Sequence, residues 1–271
     1  MSGSLCLSEG KVTPKPLLVL VTGYNTSYQP MIQTPKFVLY ENGEALFWKE
    51  DGYRSASLSP EEVKQLMASL PLGDFFKLKD SYPPKPGFIE HPHFIHLMVW
   101  KDGKFKKVGY VGFPPNENQD KSPKAFWELY EKITAFSPAE AKPWDSGDFD
   151  VYLRPRENVD EVVVHSNGKA EEYRKTPVKK SIPWPKDWPG LESAVLHDKK
   201  ESPAEIYMDY PFYTIRLKNS VLSQFLPLSN EEDKFGTPYA IGGKYFRSAR
   251  NISYRFVIPN EEMWLKPLVG Q

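Results

Sequence analysis

The sequence predicts an α+β fold built mainly from antiparallel sheets. Three observations predict it: turn-forming Asn-Gly and Asp-Gly pairs separate strand-like segments, the chain carries only two to three short helix signals, and strands do not alternate with helices as a parallel sheet would require. The 26 prolines are about twice the usual share, and aromatic residues make up 14% of the chain. Both excesses favour strands and ordered loops over long helices.

Four segments are typical of β-hairpins. "FVLYENGEALFWKE" from Phe37 and "VVVHSNGKAEEYRK" from Val162 share one pattern, in which an apolar strand precedes Asn-Gly and a second strand ends in an aromatic residue followed by charges. Both Asn-Gly pairs suit a type I′ turn, whose two central residues need positive φ. The predicted turn pairs are Asn42-Gly43, Asn167-Gly168, Asp102-Gly103 and, less strictly patterned, Gly242-Gly243.

Two helices are well signalled. In "SPEEVKQLMASL", Ser59 is a predicted N-cap, Pro60 takes the first helical position and Glu62 closes a capping box. In "SPKAFWELYEKITAF", Ser122 and Pro123 repeat this start, and a third, short helix is expected at "NSVLSQFL". The predicted core-facing stripes are Val63, Leu66, Met67 and Leu70 in the first helix, and Phe126, Leu129, Tyr130, Ile133 and Phe136 in the second.

The Pro- and Gly-punctuated segment "SPAEAKPWDSGD" predicts a boundary between two domains. We therefore expect an α+β hairpin and helix domain at residues 1–143 and a second, β-rich α+β domain at residues 144–271. The recurrence of one hairpin pattern in both suggests two related halves.

Composition excludes several function classes. The 35 basic and 35 acidic residues cancel, so we do not expect a nucleic-acid partner, although Lys101, Lys104, Lys106 and Lys107 surround one predicted turn. The longest aliphatic run, "LLVLV", is far too short to span a bilayer. The single Cys6 excludes an intrachain disulfide. We expect a cytoplasmic protein if the N-terminus is native, and a cell-envelope, periplasmic or secreted one if a signal peptide has been removed.

The segment "FVLYENGEALFWKEDGYRSASLSPEEVKQLMASLPLGDFFKLKDSY", followed by "VWKDGKFKKVGYVG", resembles uncharacterised bacterial domains of unknown function found in exported proteins and lipoproteins. The resemblance covers roughly residues 37–112 and is carried by turn and capping signals. It implies this architecture and a bacterial, exported context. It implies no functional residue, because the histidines before the second hairpin depart from the pattern of such domains.

Histidines in "EHPHFIHLMVW" form the first candidate site. On a regular strand His91 and His93 project to one face and His96 to the other. A pair of imidazoles on one face can chelate zinc or a similar transition metal, with further ligands from elsewhere in the chain. The alternative interpretation is a strand that carries half-exposed histidines.

Two tryptophans in "WPKDWP" form the second candidate site. If Trp184 and Trp188 are exposed on an extended, polyproline-like segment, they could stack on sugar rings or hold a peptide. The alternative is that both indoles fill the core of the second domain.

No nucleophile elbow and no phosphate-binding loop is present in the sequence. Our leading hypothesis is therefore a non-enzymatic binding or structural module of a bacterial protein, without a cofactor and with an unknown protein, peptide or glycan partner. The alternatives are a metal-dependent hydrolase that uses His91 and His93, and a glycan- or peptide-binding module that uses Trp184 and Trp188.

Overall fold

The computed structural model describes residues 14–24, 35–49, 52–83, 93–112, 123–155, 158–163, 172–177, 182–197, 212–229, 239–241, 244–248, 254–259 and 263. These residues form an α+β fold with mainly antiparallel sheets, which confirms the predicted class. None of the helices within them is long and apolar enough to cross a membrane.

The first sheet has eight strands and carries three helices on one face. Its strands are β1 (Pro16–Tyr24), β2 (Phe37–Tyr40), β3 (Glu44–Lys49), β4 (Gly52–Ser57), β5 (Ser81–Tyr82), β6 (His93–Lys101), β7 (Lys104–Val111) and β8 (Lys142–Pro143). Its helices are α1 (Pro60–Ser69), α2 (Leu72–Phe75) and α3 (Lys124–Thr134). The strand order is β5-β7-β6-β1-β2-β3-β4-β8, with all neighbours antiparallel except β5 and β7.

Strand β1 lies at the centre of this sheet and is buried from both sides. Leu18 and Leu20 point into a core with the helices, whereas Val19 and Val21 point into a second core on the opposite face. We call these two sides the helix face and the second face. All four side chains are at most 1% exposed, which explains why this run is continuously aliphatic.

The second sheet is smaller and less regular. Its strands are β9 (Asp148–Pro155), β12 (Ile182–Pro183), β13 (Val195–His197), β14 (Phe212–Lys218), β15 (Tyr239–Ile241), β16 (Lys244–Ser248) and β17 (Tyr254–Phe256), and helix α4 (Leu222–Ser229) packs against it through Phe225. The order is β12-β15-β16-β9-β14-β13, with β17 also paired to β9. Strands β10 (Asn158–Val163) and β11 (Glu172–Pro177) form a separate two-stranded sheet.

The two predicted turns that can be described differ from each other. Asp102 and Gly103 form the turn between β6 and β7 as predicted, and their φ values of 50° and 72° fit a type I′ turn. The predicted type I′ turn at Asn42-Gly43 is wrong, because only Gly43 has positive φ (84°) and its N–H donates to the carbonyl of Tyr40 at 3.0 Å. The connection is instead three residues long. A Cβ atom on Gly43 would lie 2.0 Å from the carbonyl oxygen of Leu58, so only glycine fits there.

Other hairpin predictions are settled only in part. Strands β10 and β11 pair in an antiparallel hairpin, as do β15 and β16, but the Asn167-Gly168 and Gly242-Gly243 pairs lie outside the described residues. The hairpin of β2 and β3 is internal to the first sheet, whereas that of β10 and β11 forms its own sheet. The two similar segments thus occupy different places in the fold, and a relation between the halves stays a prediction.

Helix α1 starts as predicted, whereas α3 does not. Ser59 Oγ accepts from the N–H of Glu62 and the Glu62 carboxylate accepts from the N–H of Ser59, at 3.3 and 2.7 Å, so the capping box is present. The predicted start of α3 is wrong, because Pro123 is its N-cap, with an extended backbone (φ −80°, ψ 125°), and not its first helical residue. Ser122 lies outside the described residues. Trp127, which the predicted stripe omits, is 2% exposed and packs edge-on against Tyr110, with ring centroids 4.7 Å apart.

The end of the described chain returns to the first sheet. Ile258, which follows β17, is 3% exposed and belongs to the core on the second face, together with Val19, Val21, Val38, Tyr40, Leu46, Phe94 and Met98. The Tyr40 hydroxyl donates to the carbonyl of Pro259 at 2.8 Å. The segment 257–259 therefore closes the second face. These contacts join the two sheets. The division into domains at residue 143 stays a prediction.

We predict that Ile258→Ala lowers the free energy of unfolding by about 2–5 kcal/mol, since it removes buried methyl groups from a closed core. Val195→Ala is the control, because Val195 is a 58% exposed aliphatic residue and its change should cost about 0.5 kcal/mol or less. Urea unfolding measures both. Equal effects of the two substitutions would contradict closure of the second face by Ile258.

Candidate functional site

The histidines of β6 do not form one chelating face. His93 shares the helix face with Ile95 and Leu97, whereas His96 lies on the second face beside Phe94 and Met98. This confirms the prediction that His93 and His96 project to opposite faces of the strand. His91 lies outside the described residues, so the His91 and His93 pair stays a prediction. Within the part of the chain that the structure describes, no group of three His, Cys, Asp or Glu side chains could hold a metal ion.

The His96 ring packs closely against the neighbouring strand. Its ring lies across Gly109 of β7, where an added Cβ atom would come within 3.0 Å of the imidazole. The Nδ1 atom is buried and has no hydrogen-bond partner among the described residues. Burial, and secondarily the charge of Lys107, lower the pKa of His96 to about 4. The imidazole is therefore neutral at physiological pH, and it is a packed residue of the second face.

The interpretation of Trp184 and Trp188 as exposed binding residues is wrong. They are 8% and 5% exposed, and their rings meet edge-to-face with centroids 5.1 Å apart. Trp184 Nε1 donates to the carbonyl of Pro189 at 2.9 Å. The backbone N–H of Trp188 donates to the carbonyl of Pro185 at 3.2 Å, so the segment turns instead of continuing as a polyproline helix. The turn brings both indoles onto the core of the second sheet, beside Phe225.

A group of aromatic residues on the second face is a better candidate site. We call it the aromatic strip, and it comprises Lys36, Trp48, Tyr53, Trp144 and Phe256. Cross-strand register aligns its members: the N–H of Trp48 donates to the carbonyl of Lys36, Trp48 lies opposite Tyr53, and the N–H of Trp144 donates to the carbonyl of Tyr53. Phe256 comes from β17, so the strip joins the two sheets.

The rings of the strip hold one another at steep angles. Tyr53 is central, with centroid distances of 5.0 Å to Trp48, 5.8 Å to Trp144 and 5.5 Å to Phe256, and interplanar angles of 68–77°. These edge-to-face contacts match the attraction between aromatic edges and faces. Trp48 ends the strip and is 41% exposed. An indole in contact with solvent is thus fixed in position by its neighbours.

Lys36 supplies the charge of the strip. Its Nζ atom lies 4.2 Å from the ring centroid of Trp48, within the range of a cation–π interaction. Burial lowers the pKa of Lys36, because desolvation disfavours the charged ammonium. No carboxylate of the described residues forms an ion pair with this side chain. The strip therefore combines a solvent-exposed indole with a partly desolvated cation.

Sequence reasoning did not find this site. Alternation along β3 places Trp48 on the face opposite the buried Phe47, and this signal was available in the pattern "EALFWK". The approach of Trp144 and Phe256 depends on contacts far apart in sequence, which no local pattern reports.

Comparison with known proteins gives no further guide to the site. No family model matches the chain, and no similar curated protein or solved structure was found.

We predict an acid-dependent loss of stability that depends on His96. The unfolded chain binds this proton near pH 6.5 and the folded chain only near pH 4, so stability is constant above pH 6.5 and falls as the pH drops towards 4. Urea unfolding of wild type should show about 2 kcal/mol of this loss between pH 7 and 4.5. His96→Leu should remove that contribution.

The matched control is His93→Leu, because His93 is less buried and should leave most of the pH dependence in place. An unchanged pH dependence in His96→Leu would contradict the assigned environment of His96.

Proposed function

We propose that this chain is a non-enzymatic binding module, of a bacterial protein as its sequence resemblance suggests, and that a saccharide ring docks on the aromatic strip. The observation that carries the proposal is the 41% exposure of Trp48 within a cluster whose other rings pack against one another. A single exposed aromatic residue is ordinary on a protein surface. An exposed indole held by Tyr53 and flanked by a cation is a prepared contact surface.

Preorganisation supports this proposal. A side chain that becomes ordered on binding costs about 0.5–1.5 kcal/mol. Trp48 is already held by the Tyr53 ring, whose centroid lies 5.0 Å from that of the indole. Little of this cost therefore remains when a ligand arrives, and the apolar surface of the indole is available to the hydrocarbon face of a sugar.

The position of Trp48 favours a saccharide over an added peptide strand. Strand β3 lies between β2 and β4, so its backbone groups already pair on both sides. Recognition by strand addition needs an exposed sheet edge. A ligand at Trp48 must instead be held by side chains that project from the sheet face, which suits stacking of a sugar ring with hydrogen bonds at its rim.

We expect Trp48→Ala to weaken saccharide binding about tenfold or more, because it removes the exposed ring on which the sugar stacks. A panel of immobilised oligosaccharides identifies a binder for the wild type, and calorimetric titration then compares the variants. Phe105→Ala is the matched control, since Phe105 is a 38% exposed aromatic residue elsewhere in the first sheet.

Equal affinity of Trp48→Ala and wild type would reject the strip as the binding site. Binding of proline-rich peptides to the strip, without binding of any saccharide, would reject the ligand class.

A further inference from the structure

We infer that the ligand of the aromatic strip is an acidic sugar, whose ring lies on Trp48 and whose carboxylate pairs with Lys36. The inference rests on the proposed function and names the substrate class of the same site. Its basis is the chemistry of Lys36, which a neutral sugar would leave unsatisfied.

Lys36 is a partly buried cation without an ion-pair partner among the described residues. Removing an ammonium from water is unfavourable unless an opposite charge or hydrogen-bond acceptors replace the lost solvent. The indole face of Trp48 compensates only partly, because a cation–π contact is weaker than a charge-assisted hydrogen bond. A ligand carboxylate would supply the stronger interaction.

Reach and geometry are compatible with this pairing. The Lys36 ammonium lies over the indole at 4.2 Å from the ring centroid, and the lysine stem has four flexible carbons. A sugar ring that enters this face displaces the ammonium towards the rim of the ring. In a hexuronic acid the carboxylate is attached at the edge of the sugar ring. The carboxylate and the displaced Lys36 ammonium therefore meet beside the stacked rings.

A second cation lies on the same face of the sheet. Lys142 of β8 lies on the same face, opposite Ser55, and is exposed. The nearest carboxylate along β3 is Glu44, four residues and therefore about 13 Å from Trp48. On the adjoining sheet, Asp148 and Asp150 are paired with Lys218 and Arg216 respectively. Asp145, which follows Trp144, accepts from the Gly147 N–H and the Asn219 amide at 2.9 and 2.7 Å. Among the described residues, Lys36 is therefore the charged side chain that contacts the exposed indole.

The test compares trigalacturonic acid with its methyl ester, two ligands that differ in charge at the same position. Calorimetric titration should show that wild type binds the acid about tenfold or more tightly than the ester. Lys36→Met keeps the stem and removes the charge, so it should abolish the preference for the acid over the ester. The preference for the acid should also weaken as the salt concentration rises.

Lys49→Met is the matched control, because Lys49 lies on the same strand as Trp48 and its Nζ atom is 5.9 Å from the Phe47 ring on the other face. It should change neither affinity. Equal binding of acid and ester to wild type, or binding of neutral oligosaccharides alone, would overturn the acidic-sugar inference while the proposed function stands. Absence of binding by every saccharide would overturn both.

Discussion

Burial of strand β1 from both sides is the constraint on which the rest of the structure depends. Leu18 and Leu20 of "LLVLV" must be covered by other residues on one face of the sheet, and Val19 and Val21 on the other. The three helices supply the first cover. The second cover includes Ile258, which lies more than 200 residues further along the chain and is anchored by the hydrogen bond between Tyr40 and Pro259. A two-sided sheet therefore requires the second half of the chain to return.

The same return explains where the candidate site lies. Ile258 covers the centre of the second face, and Phe256, two residues earlier, packs against Tyr53 and Trp144 nearer its β8 edge. Cover at this edge is incomplete, so Trp48 remains 41% exposed while its neighbours are held in place. The site is thus the open end of a core. Its rigidity and its apolar character both follow from the packing that closes the rest of the face.

Local signals predicted local structure well. The capping box of Ser59 and Glu62, the core stripe of α1 and the turn at Asp102-Gly103 depend on residues close in sequence, and all are present. The site could not be predicted in the same way. Trp184 and Trp188 are buried because a turn folds them onto a core built from distant strands. Tyr53, which contacts Trp48, gains its other aromatic partners from Trp144 after β8 and from Phe256 of β17. Such partners are set by tertiary packing, which periodicity does not encode.

The most direct measurement follows the indole N–H resonances of the seven tryptophans during titration with trigalacturonic acid. Each signal is assigned by a single Trp→Phe substitution. The structure predicts that the signal of Trp48 shifts most, while those of the buried Trp184 and Trp188 stay in place. Shifts at Trp184 and Trp188 with an unchanged Trp48 signal would contradict the account, because binding would then require opening of the second core and not contact with the exposed strip.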